Sequence, residues 1–342
     1  GNEAIAMAAI DSGCLLYFGY PITPQNDIPE YLSKHLPPLG GEFIQAESEI
    51  ASINLLLGAS ATGVRAMTSS SSPGISLMQE GISYMAGSEL PALIVNISRS
   101  GPGLGGISPS QGDYFQATRG GGHGDYRMIV LAPSTVQEMY DLTCLAFNLA
   151  DKYRNPAMIL GDALIGQMKE PLVRKKCEPM ELPPKDWALT GAQGRNPNRL
   201  KSLYLQDGEL SEHNWKLHQK YERMKKEEVR FESFRVEDAQ VVIAAFGSMA
   251  RVSKTSVELA RDEGMKVGLL RPITLFPFPG EALYNLSQQV KTFLTVELNT
   301  GQMVEDVKLS VARDAQVHFY GRPPGSLPSP EEVLEEIRKY YE

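Results

Sequence analysis

Three side chains in the first hundred residues stand where their types could do chemistry. Thr23 lies between two prolines in Gly19-Tyr20-Pro21-Ile22-Thr23-Pro24. Pro21 and Pro24 fix their own φ and push Tyr20 and Thr23 out of the helical region, giving a rigid, extended turn. Such a turn either presents a hydroxyl to a ligand or simply joins a strand to a helix. Glu49 opens a segment that is apolar nearly all round, with Ile50, Ile53, Leu55, Leu56 and Leu57. A carboxylate there is either a partner of the helix dipole or an acid taken into the interior with that helix. Glu47, two residues upstream, is the competing carboxylate. Arg99 follows the apolar run Ala92–Ser98 and offers a planar fork for a carboxylate, or else a surface ion pair at the start of a loop.

Weaker signals follow. His123, within Gly120–Gly124, either shapes a substrate pocket or satisfies a loop backbone. Asp125 and Arg127 form a candidate local ion pair, and Asp27 reads as a first-turn helix acid. The run Ser100-Gly101-Pro102-Gly103-Leu104-Gly105-Gly106 follows a strand, but no helix opens at its third glycine and no acid stands at the right distance, so a dinucleotide loop is rejected.

The elements that must position these residues alternate strand and helix. The pattern predicts a helix over 2–12, a strand at Cys14–Gly19, a helix over 25–35 and a strand at 43–45. A helix at Glu49–Ala61 follows, capped by Ser48 and buried on most faces. Next come a strand at Val64–Thr68, a helix to Gly87 with Ile75, Met78, Ile82 and Met85 as core, and a strand at Pro91–Ser98. Residues 98–127 carry no helix or strand pattern, which in a compact domain points to a functional loop. A helix at Ser134–Lys152 and a strand at Ala157–Leu160 complete a first domain over 1–170. Residues 171–236 read as linker with a charged helix at Leu210–Val229, whose Trp215, His218, Tyr221 and Met224 share a face. A second α/β unit occupies 237–342. The fold class is therefore α/β, a doubly wound parallel sheet plus a smaller α/β domain.

Composition narrows the function. The 342 residues carry a net charge of −8, which argues against nucleic acid or an anionic membrane as partner. No apolar run reaches membrane-spanning length, and the start lacks a basic-then-apolar signal pattern. The three cysteines, Cys14, Cys144 and Cys177, are far apart and include no C-x-x-C, which excludes a self-contained four-cysteine cluster and fits a reducing, cytoplasmic setting.

Tyr20-Pro21-Ile22-Thr23-Pro24, Glu47–Asn54, Gly120–Arg127, Leu270-Arg271-Pro272-Ile273 and Gly301-Gln302-Met303 occur in the order of a known family. Together with the opening Gly1-Asn2-Glu3-Ala4, they make the chain resemble the α subunits of 2-oxoacid:ferredoxin oxidoreductases, most of all the 3-methyl-2-oxobutanoate (ketoisovalerate) type. Because it opens inside a motif, a few residues are expected before Gly1. The resemblance implies a pyrimidine-type thiamine-diphosphate-binding domain followed by a transketolase C-terminal-like domain. It implies that Glu49 contacts N1′ of the aminopyrimidine and assists loss of the thiazolium C2 proton, and that Tyr20, Pro21 and Ile22 contact the cofactor. Arg99, Thr23 and His123 would meet the 2-oxoacid. Gly161-Asp162-Ala163 departs from the diphosphate–metal motif Gly-Asp-Gly, and no Asn pair stands at the right spacing, so no metal site is expected in this chain. A β subunit would then share the thiamine diphosphate and bring Mg2+ and a [4Fe-4S] cluster, with γ and δ chains, ferredoxin and coenzyme A as further partners. The implied reaction is oxidative decarboxylation to acyl-CoA, CO2 and reduced ferredoxin. Half of a transketolase-like or E1-like enzyme, or a non-catalytic scaffold, are the competing readings.

Overall fold

The computed structural model describes residues 1–323 and 325–341. Its first half contains α1 (Asn2–Asp11), β1 (Leu16–Gly19), α2 (Asp27–His35), β2 (Glu42–Gln45), α3 (Glu49–Ala61), β3 (Ala66–Ser70), α4 (Ser72–Gly87), β4 (Ala92–Ser98), α5 (Tyr114–Arg119), β5 (Ile129–Leu131), α6 (Val136–Tyr153), β6 (Pro156–Asp162) and α7 (Ala163–Gln167). Then follow α8 (Glu209–Glu227), β7 (Phe231–Phe234), β8 (Val241–Ala244), α9 (Gly247–Asp262), β9 (Val267–Pro272), β10 (Thr274–Phe276), α10 (Gly280–Ser287), β11 (Thr292–Glu297), α11 (Met303–Ser310), β12 (Gln316–Gly321) and α12 (Pro330–Arg338).

Two sheets organise these elements. The first has the order β10-β5-β6-β4-β3-β1-β2 and the second β12-β11-β8-β9-β7. All pairings are parallel except β10 with β5 and β7 with β9, each at a sheet edge. β4 and β6 are buried along their whole length, as strands covered by helices on both faces must be. Ile75, Met78, Ile82 and Met85 of α4 are fully buried, so the methionines at helical spacing are core.

The structure departs from the sequence reading in several places. Three short strands, β5, β7 and β10, carry too few residues to show a period. β7, within the stretch read as linker, pairs with β9, and β10 from the second half extends the first sheet. Residues 98–127 are not free of helix: α5 lies within them. α3 leaves Ile50 and Leu55 50% and 38% exposed, so it is less covered than its apolar circumference suggests. On α8 the buried stripe is Leu217, Tyr221 and Met224, while Trp215 remains exposed. Asp125 and Arg127 are not paired; the Arg127 guanidinium donates to the carbonyls of Tyr126 and Arg119. Cys144 and Cys177 are joined in a disulfide that ties the excursion after α7 to α6. Their separation of 33 residues concealed this, because the intervening chain folds back across the helix.

An arginine fastens the two halves together. Buried Arg271 of β9 donates to both Glu138 oxygens of α6 at 2.7 and 2.6 Å, to the Ser134 hydroxyl at 2.7 Å and to Glu232 of β7 at 2.9 Å. The Leu-Arg-Pro-Ile motif is thus an interdomain clamp.

Candidate functional site

Ligands in open α/β sheets bind beyond the carboxyl ends of the strands. Here the ends of β1, β3 and β4 deliver the Pro-rich turn, the start of α4 and Arg99, and the start of α3 joins them.

The Pro-rich turn is held from below. Asn2 donates to the Pro24 carbonyl at 2.9 Å and to Asp27 at 3.0 Å, while Asn26 accepts from the Ile22 amide at 2.9 Å. Buried Gln25 accepts from the Ser69 hydroxyl at 2.6 Å, and Ser69 in turn lies 2.8 Å from the Tyr17 hydroxyl. Tyr20, Pro21 and Thr23 remain exposed at the rim, with Ile22 half-buried.

Arg99 is 8% exposed and pairs with no acid among the described residues. Nη1 donates to the Thr23 carbonyl at 3.0 Å and Nη2 to the Leu104 carbonyl at 3.1 Å, while Nε has no partner. Its amide is held by the Ser72 hydroxyl at 2.9 Å, and that hydroxyl donates to Asp113 at 2.6 Å. A surface ion pair is therefore not its role.

Ser48 caps α3 by accepting from the Ala51 amide at 3.2 Å, which places Glu49 at the positive end of that helix. Glu49 is buried whereas Glu47 is exposed, which separates the two carboxylates. Among the described residues no hydrogen bond or ion pair reaches the Glu49 carboxylate. Gly74 of α4 makes room for it: a Cβ there would lie 2.4 Å from Glu49 Oε1 and 2.1 Å from Ser70 Oγ. A buried acid with no hydrogen-bond partner among the described residues, packed against a glycine, suits a ring edge that can share a proton with it. These residues fit the pyrimidine side of thiamine diphosphate.

Glu49, Arg99 and Thr23 thus gather near the start of α4, but His123 does not. Its carbonyl accepts from Ser83 at 2.7 Å and its ring meets Tyr84 edge-on. Ser83 is nine residues along α4 from Gly74, about 13 Å at the usual helical rise. Asp162 caps α7 by accepting from the amides of Leu164 and Ile165 at 2.9 and 3.2 Å. Burial pushes its carboxyl above the usual range.

Sequence reasoning passed over Ser70, Gly74, Asn96 and Gln111. Four consecutive serines before Pro73 were the available signal for the first two. Gln111 had none: its side chain and backbone exchange hydrogen bonds of 2.8–3.0 Å with Phe246, Leu298 and Asn299, docking the glycine-rich loop on the second half. The Gly-Gln-Met motif lies at the same seam. There Glu297 accepts from the amides of Met303 and Val304 at 2.8 and 2.9 Å, and burial pushes its carboxyl upward.

Comparison with known proteins gives the family and the fold. Residues 7–232 match the family described as pyruvate flavodoxin/ferredoxin oxidoreductase, thiamine diP-binding. Residues 239–333 match pyruvate:ferredoxin oxidoreductase core domain II. Ketoisovalerate oxidoreductase subunit VorB of Methanothermobacter marburgensis is 51% identical, over 99% of this chain and 96% of that protein. 2-Oxoglutarate synthase subunit KorA of Archaeoglobus fulgidus is 38% identical, over 98% and 96%. Among solved structures, 2-oxoglutarate:ferredoxin oxidoreductase from Magnetococcus marinus, with 2-oxoglutarate, coenzyme A and succinyl-CoA bound, superposes with a TM-score of 0.85 at 28% identity. That match covers 99% of this chain and 64% of the other. Matched along nearly its whole length in sequence and in fold, the chain belongs to the 2-oxoacid:ferredoxin oxidoreductases.

Proposed function

We propose that this chain supplies the pyrimidine side of the thiamine-diphosphate site in a branched-chain 2-oxoacid:ferredoxin oxidoreductase. The overall reaction is oxidative decarboxylation: 2-oxoacid, coenzyme A and oxidised ferredoxin give acyl-CoA, CO2 and reduced ferredoxin. The branched-chain assignment is supported by 51% identity to a ketoisovalerate oxidoreductase subunit. Residues 1–170 form the cofactor-binding domain, and 237–342 form a transketolase C-terminal-like domain that holds the glycine-rich loop in place.

When bound, thiamine diphosphate supplies the electron sink for decarboxylation. Glu49 holds a proton at the edge of the aminopyrimidine, at N1′. Arg99, which pairs with no acid among the described residues, receives the substrate carboxylate beside the Thr23 hydroxyl. Tyr20, Pro21 and Ile22 wall the ring, and His123 lies outside this set.

Partner subunits complete the site by anchoring the diphosphate with Mg2+ and carrying [4Fe-4S] clusters; β, γ and δ chains and ferredoxin fill these roles. Subunit names among the relatives support a multi-subunit enzyme. So do the exposed apolar side chains Ile50 and Leu55 on α3 and Leu77 on α4, the two helices that carry Glu49 and Gly74.

The observation that carries this reading is Glu49, a buried residue at a helix start whose carboxylate has no hydrogen-bond partner among the described residues. Glu49→Gln, assayed in the reconstituted complex with a viologen dye and a panel of oxoacids, is expected to lose roughly 10²–10⁴-fold in turnover. Its melting temperature and assembly should stay at wild-type values. Wild-type turnover in that variant would remove Glu49 from the mechanism.

A further inference from the structure

Four serines, Ser69 to Ser72, run from the end of β3 into α4, and the fold uses three of their hydroxyls. Ser69 bonds Tyr17 and Gln25, Ser71 donates to the Ile97 carbonyl at 2.8 Å, and Ser72 donates to Asp113. Ser70 is fully buried, yet its hydroxyl has no partner. Buried hydroxyls are nearly always paired, and an orphan in a native fold calls for an explanation.

Its surroundings supply one. Ser70 Oγ and Glu49 Oε1 both border the volume that a side chain at Gly74 would fill, at 2.1 and 2.4 Å from that missing Cβ. Two polar groups without hydrogen-bond partners, a donor and an acceptor, thus pack side by side against a glycine, at a point where any side chain would collide with both. The other nearby candidate is Asn96, the register partner of Ser70 on β4. Its amide nitrogen is committed to Asp113 at 2.8 Å, and its Oδ1 is likewise unpaired.

We propose that Ser70 is a positioning residue for Glu49. With the cofactor ring in place, its hydroxyl, unpaired in this structure but packed beside Glu49 Oε1, turns to donate to that oxygen and so presents the second oxygen to the ring. This rests on the reading of Glu49 given above.

The test uses Ser70→Ala, Ser70→Gly, Ser70→Thr and Glu49→Gln in the reconstituted complex. Three quantities are measured: hydrogen–deuterium exchange at C2 of bound thiamine diphosphate, the Kd for thiamine diphosphate by calorimetry, and the melting temperature. Losing one hydrogen bond to a charged group should slow exchange by about tenfold in both Ser70→Ala and Ser70→Gly. KM for the oxoacid and the melting temperature of Ser70→Ala should be unaltered, and Ser70→Thr, which keeps the hydroxyl, should restore exchange. Slow exchange in Glu49→Gln but wild-type exchange in Ser70→Ala would overturn the positioning role and assign the hydroxyl to Asn96. Wild-type exchange in Glu49→Gln would instead overturn the functional reading, and this proposal with it.

Discussion

Arg99 and Thr23, 76 residues apart in the chain, are joined by a 3.0 Å hydrogen bond from Nη1 to the Thr23 carbonyl. A second bond to the Leu104 carbonyl, at 3.1 Å, completes the grip, so one guanidinium fixes two loops and leaves Nε buried without a partner. Arg99→Ala should raise KM for the oxoacid by about tenfold to a hundredfold, the range for a lost charged hydrogen bond, and leave KM for coenzyme A unchanged. Arg99→Lys should recover little, because an ammonium cannot span both carbonyls in a planar fork. Steady-state kinetics with each substrate varied in turn checks both outcomes.

Gly74 is the second test. A methyl group there would meet Ser70 Oγ and Glu49 Oε1 at 2.1 and 2.4 Å, far inside contact distance. Gly74→Ala should cost about 1–3 kcal/mol in denaturant unfolding, as overpacking does, and weaken thiamine diphosphate binding by displacing Glu49. Calorimetric titration of the assembled complex would show wild-type affinity if the close approach of Glu49 to this glycine were not needed.

The clamp at Arg271 predicts a stability effect remote from the chemistry. Arg271 is 4% exposed and serves Glu138, Glu232 and Ser134 together. Burial acts to raise the Glu138 carboxyl, but bonding and charge from Arg271 outweigh it and hold it below its ordinary value. Arg271→Ala removes the charged hydrogen bonds to Glu138 and Glu232, which keep only Ser134 and Lys254, and unfolding should be easier by about 1.5–3 kcal/mol. Urea titration measures it, and a change under 1 kcal/mol would count against the clamp.

Glu89 gives a pH dependence. It sits at the end of α4 beneath Lys216 and Lys220 of α8, with Lys220 Nζ at 3.1 Å. Burial works against its ionisation, yet the two lysines bring its carboxyl down from 4.5 to about 2. A depressed folded value means stabilisation that is complete above pH 4.5 and is lost as pH falls toward 2. Lys220, lowered to about 8 by burial, stays protonated across this window and adds no slope. Glu89→Gln should therefore be less stable at pH 7 and show a shallower loss of stability between pH 5 and 3. Chemical denaturation at each pH decides it.

The strand–helix alternation, the Pro-rich turn, the apolar helix behind Glu49 and the position of Arg99 at a strand end were all legible in the residues. Each is a local matter: period, proline stereochemistry, capping and the order of motifs along the chain. The short strands β5, β7 and β10 were not legible, since three or four residues carry no period and their partners are distant in sequence. Nor was the fate of His123, which depends on where a glycine-rich loop comes to rest.

The sequence by itself thus determined most of the elements that form, the family they build and the carboxylate and guanidinium to propose for the site. Only the tertiary structure decided that Glu49 is buried without a partner, that Ser70 and Glu49 pack against the same glycine, and that Arg99 spends two of its five donors on loop carbonyls and leaves Nε unpartnered. The physical reason is that hydrogen-bond satisfaction and free volume belong to groups brought together from separate strands. No local rule of spacing can say which donor will be left over.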